Sequence, residues 1–596
     1  MDCGPGASQS ETHFKSTCQL GERIRGKPMN VLQSRILPCA VARLITVSAI
    51  SFPLPALSAV VAVDDVAPSP ITTTIDDELF IGSTSFGSIA VDGGSHVLAL
   101  SVVMGHEADS KGTATIEDAG STLQIRDYVV IGDAGIASLD VVRGAQFYSL
   151  STLLGTSPEG SGTLTFDGAA STGFIDDVLV VGHHGFGQLG VVNGAQLFDL
   201  AVSIGGANGS TGLASVVGPG SKWLTGTQFD VGLAGSGRLD IFDGGYVQSA
   251  RNFVGRESAA IGIVTLSGAR SQWSSNDLYI GDAGSGTLTI SDGAAADSVD
   301  AFVGLQGSAI GRVEIKGMDS KWTSFSIAIG HLGLASLKIA DGGGVDSDYV
   351  TVGSGLDSQG EVTIDGDASF WSIGESLVLG PEGQGSVKQN SGRVDVHGDG
   401  GIHLGGQFSR GATYSLAGGV LDLHGQDIRC GSEYAAFGFT GGMLRNVGTF
   451  GLDLDQRGGT LAAGASPGSM SIVGDYTLHD GATLEVELAG AGGAPGVDFD
   501  YYDVQGTAAL SGELSIVLFD AFTPTRGDIF DVLKAESIDL TGLVVPGASG
   551  FVASVISGMD GDRLRLTYLP IPEPTLSRLL LPAVIASLLD WKRLCR

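Results

Sequence analysis

Cysteine is almost missing from the body of this chain. Four of the five cysteines lie in the terminal regions, and only Cys430 lies between them. A single thiol cannot form an intramolecular disulfide, so the sequence excludes a disulfide-stabilised scaffold. Free cysteines are often buried, and we therefore expect Cys430 to be a buried thiol, with intermolecular pairing as the alternative.

Positive charge is also scarce. The 596 residues include 32 Lys or Arg against 65 Asp or Glu, which gives a formal net charge of −33. Nucleic-acid binding needs a basic face, so the composition argues against DNA or RNA as a partner. An acidic surface is compatible with an extracellular setting or with weak binding of divalent cations.

Helical periodicity is missing from the middle of the chain. Apolar and polar residues alternate there with period 2, as in 286–290, which is the pattern of strands with one apolar face. The chain has 94 glycines, and 43% of its residues are hydrophobic. That apolar content argues against disorder and favours an all-β protein.

The strongest positive feature is a repeat in which a small hydrophobic residue precedes glycine. Gaps of 23 residues alternate with gaps of 26 or 27 as far as Gly380, and the last gap is 25, so a short unit and a long unit form a period of about 50 residues. A fixed period of this kind is typical of a solenoid. The repeat glycines are Gly82, Gly105, Gly132, Gly155, Gly182, Gly205, Gly232, Gly255, Gly281, Gly304, Gly330, Gly353, Gly380 and Gly405.

Each unit also has a turn signature of its own. The short unit ends in Asp-Gly or a related pair, which suits a tight turn. The long unit carries a serine at Ser121, Ser171, Ser221, Ser271, Ser320 and Ser369. Four of the five tryptophans follow such a serine by two residues, namely Trp223, Trp273, Trp322 and Trp371. We expect them to fill the core beside a turn; a surface ladder that stacks on sugar rings is the alternative.

These patterns predict an all-β fold. Residues 76–405 are expected to form a right-handed parallel β-helix, a solenoid of about 14 coils and roughly 65 Å. Residues 406–468 are expected to be the end of the array and a cap. A small all-β module at 469–568 is expected to close the C-terminal end, because a solenoid exposes an unpaired edge that needs covering.

The N-terminal region reads as an export signal. Residues 1–59 are interpreted as a leader with a signal peptide at 29–59, in which Arg35 and Arg43 precede a largely apolar stretch. Small residues near Ala59 and Ala62 offer cleavage positions. Met29 is an alternative initiator to Met1.

The C-terminal region carries a second candidate targeting signal. Pro572, Glu573 and Pro574 precede an apolar stretch at 579–589 and a basic terminus. This tail, 571–596, resembles the PEP-CTERM sorting signal. The resemblance implies a transmembrane helix that holds the exported protein in the inner membrane until an exosortase-type enzyme removes the tail. It also implies a Gram-negative-type bacterium that makes exopolysaccharide. Because Pro582 interrupts the stretch, an amphipathic segment is the alternative.

The repeats themselves have a likeness of their own. The stretch 458–468 reads Gly-Gly-Thr-Leu-Ala-Ala-Gly-Ala-Ser-Pro-Gly. It resembles the end of the β-helical repeats of autotransporter passengers and related PEP-CTERM surface proteins. The likeness implies a β-helix carried to the cell surface.

Catalytic chemistry is hard to find in this sequence. His183 and His184 share one loop, and we interpret them as variable loop polarity because no third metal ligand is evident. Acidic pairs are interpreted as solvated charges at strand edges, with calcium binding as the alternative. These pairs are Asp76 with Asp77, Asp176 with Asp177, and Asp498 with Asp500. No catalytic, cofactor or metal site is predicted.

The expected function is therefore structural. We expect an exported, non-catalytic repeat protein of the cell surface or extracellular matrix, anchored or released through its tail. Expected partners are an exosortase-type enzyme, exopolysaccharide or other matrix components, and, transiently, the inner membrane. The alternatives are a carbohydrate-active β-helix enzyme, either a polysaccharide lyase or a hydrolase, and an adhesin for a protein partner.

Overall fold

The described part of the chain is a β-solenoid of about 16 turns, close to the predicted 14. The computed structural model describes residues 59–69, 71 and 73–570. Within these residues the structure is all-β, and its one helical turn is a 3-10 turn at Gly547–Ser549. The predicted all-β parallel solenoid is confirmed. Residues 1–58 of the predicted leader and the whole sorting tail, 571–596, lie outside the described residues, while Ala59 begins the first strand.

One side of each coil, side A, is a single strand that begins just after the hydrophobic-Gly pair. These strands pair in parallel with the equivalent strands of the coils before and after. They are β4 (Phe86–Asp92), β6 (Lys111–Glu117), β9 (Ile136–Val142), β12 (Ser161–Asp167), β14 (Phe186–Val192), β16 (Thr211–Val217), β18 (Ser236–Phe242), β20 (Ile261–Ser267), β22 (Ser285–Ser291), β24 (Ile310–Lys316), β26 (Leu334–Ala340), β28 (Gln359–Ile364), β30 (Gln384–Gln389) and β33 (Gly411–Leu416).

The other two sides, B and C, are formed by a longer strand that bends in its middle or by two short strands. The bend is visible as a shift in pairing register, for example between Ile175 and Val178. These strands are β3 (Thr74–Ile81), β5 (His96–Met104), β7 (Thr122–Ile125), β8 (Tyr128–Ile131), β10 (Gln146–Ser149), β11 (Ser151–Leu154), β13 (Thr172–Val181), β15 (Gln196–Ile204), β17 (Lys222–Val231), β19 (Tyr246–Val254), β21 (Gln272–Ile280), β23 (Ala295–Val303), β25 (Lys321–Ile329), β27 (Gly344–Val352) and β29 (Phe370–Leu379).

Strands continue to the C-terminal end of the solenoid without a break in the parallel ladder. They are β31 (Arg393–Val396), β32 (Gly401–Leu404), β34 (Val420–Asp422), β35 (Ile428–Cys430), β36 (Ala435–Arg445), β37 (Thr449–Phe450), β38 (Leu454–Ala462), β39 (Ser469–Ile472), β40 (Tyr476–Leu478), β41 (Ala482–Leu488), β42 (Tyr501–Val504), β43 (Ala508–Leu510), β44 (Glu513–Leu518), β45 (Ile529–Ala535) and β46 (Ile538–Asp539). The all-β stretch 469–568 therefore stacks on the array, since β37 pairs in parallel with β39, and β38 pairs in parallel with β40 and β41.

Both ends of the solenoid carry antiparallel strands. At the N-terminal end, β1 (Ala59–Asp64) lies antiparallel along β4, and β2 (Val66–Ala67) pairs with β3. At the C-terminal end, β48 (Gly561–Tyr568) pairs antiparallel with both β45 and β47 (Phe551–Gly558). These strands cover edges that would otherwise offer free backbone groups for pairing.

The corner between side C and side A depends on glycine. All of the repeat glycines have positive φ, for example +76° at Gly182. A Cβ built on Gly182 would overlap the carbonyl oxygen of Thr211 in the next coil, and one built on Gly212 would overlap that of Val181. Backbone therefore contacts backbone at this corner, and a side chain on either residue would force the coils apart.

The repeated serine joins consecutive coils at the turn between sides A and B. Ser271 is fully buried; its hydroxyl accepts the Gly244 N–H at 3.0 Å and donates to the Ser267 carbonyl at 2.7 Å. Each of the six serines accepts a glycine N–H from the preceding coil. The serine thus satisfies a buried donor that no strand could reach.

The four repeat tryptophans lie in the core, as predicted. Each is no more than 2% exposed. Along the rod they alternate with small residues of the intervening coils: Trp223, Val247, Trp273, Ala296, Trp322, Val345 and Trp371 occupy successive paired positions. An indole fills more space than one coil allows, so the neighbouring coil supplies a small side chain. Over these seven coils the packing of the core therefore repeats every second coil.

The prediction of a buried Cys430 is wrong, because the thiol is exposed. Cys430 ends β35 and stacks over the buried Leu404 of the preceding coil. On its other side, β35 pairs with β37 only through Ile428 and Phe450, so the strand pairing with the next coil ends two residues before the thiol. The Sγ contacts the Ser432 carbonyl at 3.3 Å.

We expect Gly182→Ala to lower the free energy of unfolding by about 2–5 kcal/mol, from φ strain combined with backbone crowding. Gly209→Ala is the matched control, because Gly209 also has positive φ (+85°) but no atom within 4 Å of a built Cβ. It should cost only the strain, about 1–2 kcal/mol. Urea unfolding followed by circular dichroism measures both, and equal losses would contradict the crowding at this corner.

We expect Ser271→Ala to destabilise the protein by about 1–3 kcal/mol, because the buried Gly244 N–H loses its acceptor. Ser236→Ala, at an exposed position at the start of β18, should change stability by less than about 0.5 kcal/mol. The same urea titration compares the two variants. A Ser271→Ala protein as stable as Ser236→Ala would show that the hydroxyl does not join the coils.

Candidate binding groove

A groove of about 570 Å³ crosses five successive strands of side A: β24, β26, β28, β30 and β33. Two rows of outward-facing residues line it, and pairing of the strands sets both rows in register. The first row is Ile310, Leu334, Gln359, Gln384 and Gly411; the second is Arg312, Ser336, Glu361, Ser386 and Thr413. The small side chains of Ser336, Ser386 and Thr413 in the second row leave the space open.

The charge of the groove differs from that of the whole chain. Its lining carries two arginines, Arg312 and Arg410, against one carboxylate, Glu361. Glu361 is ion-paired to Lys388 beside the groove. Arg410 pairs with Asp357 at 3.3 Å, but the Asp357 side chain is 81% exposed. Among the described residues, Arg312 has no ion-pair partner and its side chain is exposed. An acidic protein thus presents a local cationic groove.

The lining of the groove offers groups that can bind a ligand and a single carboxylate. Amides, hydroxyls and guanidinium groups are good partners for a hydroxyl-rich or anionic ligand. Glycoside hydrolysis normally needs two carboxyl groups about 5–10 Å apart across the scissile bond. In this groove the only carboxylate in the lining is Glu361, and it is ion-paired to a lysine.

His183 and His184 lie in the loop after Gly182, in a shallow pocket that Val103 also lines. His106 and Asp133 line the same pocket but pair with each other at 2.8 Å. The Nδ1 atoms of His183 and His184 are 2.9 Å apart, so one ring donates to the other. Burial lowers the pKa of His183, and the neighbouring His184 lowers it further. Since the described residues bring no carboxylate or thiol together with this pair as a third ligand, the geometry supports an interacting pair rather than a metal site.

A second polar cluster, Asp395, Asp422 and His424, was not singled out from the sequence. Its oxygen and nitrogen atoms converge closely enough to hold a metal ion. However, the buried Asp422 carboxylate accepts from Arg445 at 2.8 Å, Asn446 at 2.7 Å and Arg393 at 3.1 Å. Burial acts to raise the pKa of Asp422, but these bonds outweigh it and the net shift is downward. Two arginines already neutralise the cluster, which is a structural ion-pair network.

The predicted acidic pairs divide into two kinds. Asp76, Asp77, Asp176 and Asp177 are exposed where sides B and C meet, as expected for solvated charges. The prediction is wrong for Asp500, which is buried and accepts the N–H groups of Gly468 at 2.7 Å and Glu487 at 2.8 Å. Burial raises its pKa to about 7, although both backbone bonds oppose the shift. This carboxyl group joins β41 to the start of β39.

Aromatic rings on the outside of the rod are stacked on one another. Phe253, Tyr279 and Phe302 form a ladder with centroids 4.6 and 5.3 Å apart and nearly parallel planes. Arg256 covers the outer face of Phe253, and His331 meets Phe302 edge-on. Because neighbours occupy the ring faces, this ladder stabilises the coil stack and leaves no free face for a sugar.

The predicted sorting motif, Pro572, Glu573 and Pro574, lies outside the described residues. In residues 59–69, 71 and 73–570, no helix is long and apolar enough to cross a membrane. The predicted transmembrane helix at 579–589 also falls outside that part of the chain.

Comparison with known proteins adds no identity. No protein-family profile matches the chain, and no curated protein is significantly similar to it. Functional inference therefore has to come from the geometry of the rod and its groove.

Sequence reasoning missed a buried carboxyl group in the core. Asp199 points inward, and its Oδ2 accepts the Trp223 indole N–H at 2.5 Å. The equivalent partners of Trp322 and Trp371 are the hydroxyls of Ser298 and Ser347, both at 3.2 Å. In the sequence, a polar residue in the coil before each tryptophan could have predicted this buried hydrogen-bond partner. Burial raises the pKa of Asp199 to about 7, against the hydrogen bonds that favour the charged form.

This raised pKa predicts a pH-dependent loss of stability. An unfolded aspartate titrates near 3.9, so below about pH 4 both states are protonated and no penalty applies. Between about pH 4 and 7 the unfolded state ionises first, so stability falls as pH rises. Above about pH 7 the penalty is complete and amounts to on the order of 4 kcal/mol.

We therefore expect Asp199→Asn to stabilise the protein at pH 8 relative to wild type and to lose that advantage at pH 4. Asp199→Ser, which copies the residue found beneath Trp322 and Trp371, is the matched second variant. Urea unfolding at both pH values, followed by tryptophan fluorescence, gives the difference. A gap that is the same at both pH values in both variants would contradict a buried neutral Asp199.

Proposed function

We propose that this chain is an exported, non-catalytic repeat protein of the cell surface or extracellular matrix, sorted through its C-terminal tail. Its working part is a stiff rod of about 16 turns, roughly 75 Å long at the usual strand spacing. The mechanism is geometric: the rod holds lateral faces in a fixed orientation, so a polymer can contact several coils at once.

The groove on side A is the observation that carries this proposal. It spans five coils and offers amide, hydroxyl and guanidinium groups in register. A single ion-paired carboxylate in the lining favours holding a ligand over cleaving it. The antiparallel strands at the two ends support the same reading, because they favour an individual rod over a growing fibre.

Export and sorting are supported by the sequence at the two ends. A basic, then apolar, then small-residue order at 29–59 fits a signal peptide. Pro572, Glu573 and Pro574 with the following apolar and basic stretch fit the PEP-CTERM-like signal, which implies an exosortase-type partner and transient contact with the inner membrane. The strongly acidic composition suits an extracellular surface.

Fractionation of cells that express the full chain tests this function. We expect the protein in the surface or matrix fraction, and we expect deletion of 571–596 to shift it to the medium or the periplasm, because its anchor is lost. Replacement of Pro572, Glu573 and Pro574 by alanine removes the processing signal but keeps the apolar stretch at 579–589, so we expect that variant to stay in the inner-membrane fraction with its tail uncleaved. Thr575→Ala is the matched control beside the motif and should leave localisation unchanged.

Two outcomes would contradict the proposal. The first is retention of the full chain in the cytoplasm. The second is identical localisation of the full chain and the 571–596 deletion. Shortening of acidic polysaccharides by the purified protein would instead favour the enzyme.

A further inference from the structure

The side A groove has the features of a ligand site that follows the rod axis. Its two rows run perpendicular to the strands, so equivalent side chains repeat about every 4.8 Å along the axis. Arg312 in β24 and Arg410 just before β33 lie at the two ends, four coil steps or about 19 Å apart. A ligand that contacts both arginines is therefore an extended chain.

The charges of the groove indicate which class of extended ligand it binds. Arg312 is exposed and has no carboxylate partner among the described residues, and Arg410 pairs only with the solvent-exposed Asp357. A guanidinium group binds a carboxylate in a bidentate manner when one is offered. In a protein with net charge −33, two available arginines in one groove point to an anionic ligand.

The polar groups between the two arginines narrow the class of ligand further. Gln359 and Gln384 present exposed amides, while Ser336 and Ser386 present hydroxyls. Such groups match the hydroxyls of sugar rings, whose spacing in an extended chain is close to that of the coils. The parallel ladder already uses the backbone groups of these strands, so a peptide cannot add to the sheet as an extra strand.

We propose that this groove binds an acidic polysaccharide whose carboxylates recur along the chain, laid parallel to the rod axis between Arg312 and Arg410. This polysaccharide would be the matrix ligand of the exported rod, and that biological setting rests on the proposed function. Lys388 holds Glu361 in an ion pair, which limits repulsion between that carboxylate and the bound chain.

The chain contains a matched control for the arginines. Arg238 occupies on β18 the outward position that Arg312 occupies on β24, three coils later in the same row. Arg238 lies outside the groove and donates to Asp240 at 2.8 Å. A change at Arg238 alters the charge of side A by as much as a change at Arg312 does, without touching the site.

Binding of polygalacturonate to the purified full-length protein tests the proposal, in calcium-free buffer and by isothermal titration. We expect binding that weakens with salt and falls by at least about tenfold in the double variant Arg312→Gln, Arg410→Gln. Arg238→Gln should bind as wild type does. Circular dichroism and urea unfolding check that all variants are folded.

Several results would overturn the inference. No binding of polygalacturonate by the wild type would do so, as would equal binding of its fully methyl-esterified form, which lacks the charges. Equal losses in Arg238→Gln and the double variant would reduce the effect to general charge. Arginine-dependent binding of polyglutamate at equal strength would assign the groove to acidic peptides instead. Localisation should be unchanged in the double variant, so failure here leaves the export test unaffected.

Discussion

Close contact between backbones at the glycine corner is the constraint on which this rod depends. At every repeat, a residue in left-handed conformation packs its Cα against the backbone of the next coil. Only glycine allows both the conformation and the approach. Because this contact recurs in each coil, the strands of side A start in register, and the rows of outward side chains follow from that register. The groove is a consequence of the corner.

Packing of side chains in the interior is a second constraint, and its pattern repeats over a longer distance than one coil. Tryptophans alternate with valine or alanine along one line of the core, so the packing pattern repeats only after two coils. The indole N–H groups of three of these tryptophans donate to acceptors in the coil before, namely Asp199, Ser298 and Ser347, whereas the buried Trp273 N–H has no hydrogen-bond partner. Among these acceptors, Asp199 is the one whose burial lowers the free energy of unfolding, because a serine hydroxyl accepts the same hydrogen bond without a charge.

Much of the fold was predictable because the repeat is marked by residue types that few other residues can replace at those positions. Glycine at a positive φ, serine beneath a turn and tryptophan in the core each have a local cause that can be read in the sequence. Cys430 and Asp500 were predicted wrongly because their burial depends on what the neighbouring coil supplies. Strand pairing with the next coil ends at Ile428, two residues before the thiol, and the Gly468 and Glu487 N–H groups hold the Asp500 carboxyl group inside. The groove was also missed, because Arg312 and Arg410 are 98 residues apart and meet on one face only through five coils of stacking.

The two-coil period of the core also governs how such a rod changes length. Loss of one coil would bring two tryptophan positions next to each other, or two small ones, and would leave either a clash or a void. Loss or gain of two coils keeps the alternation intact. Recombination between repeats in the coding DNA should therefore be tolerated in units of about 50 codons, each changing the rod by roughly 10 Å. Lineages that carry this architecture should differ in length by whole pairs of coils.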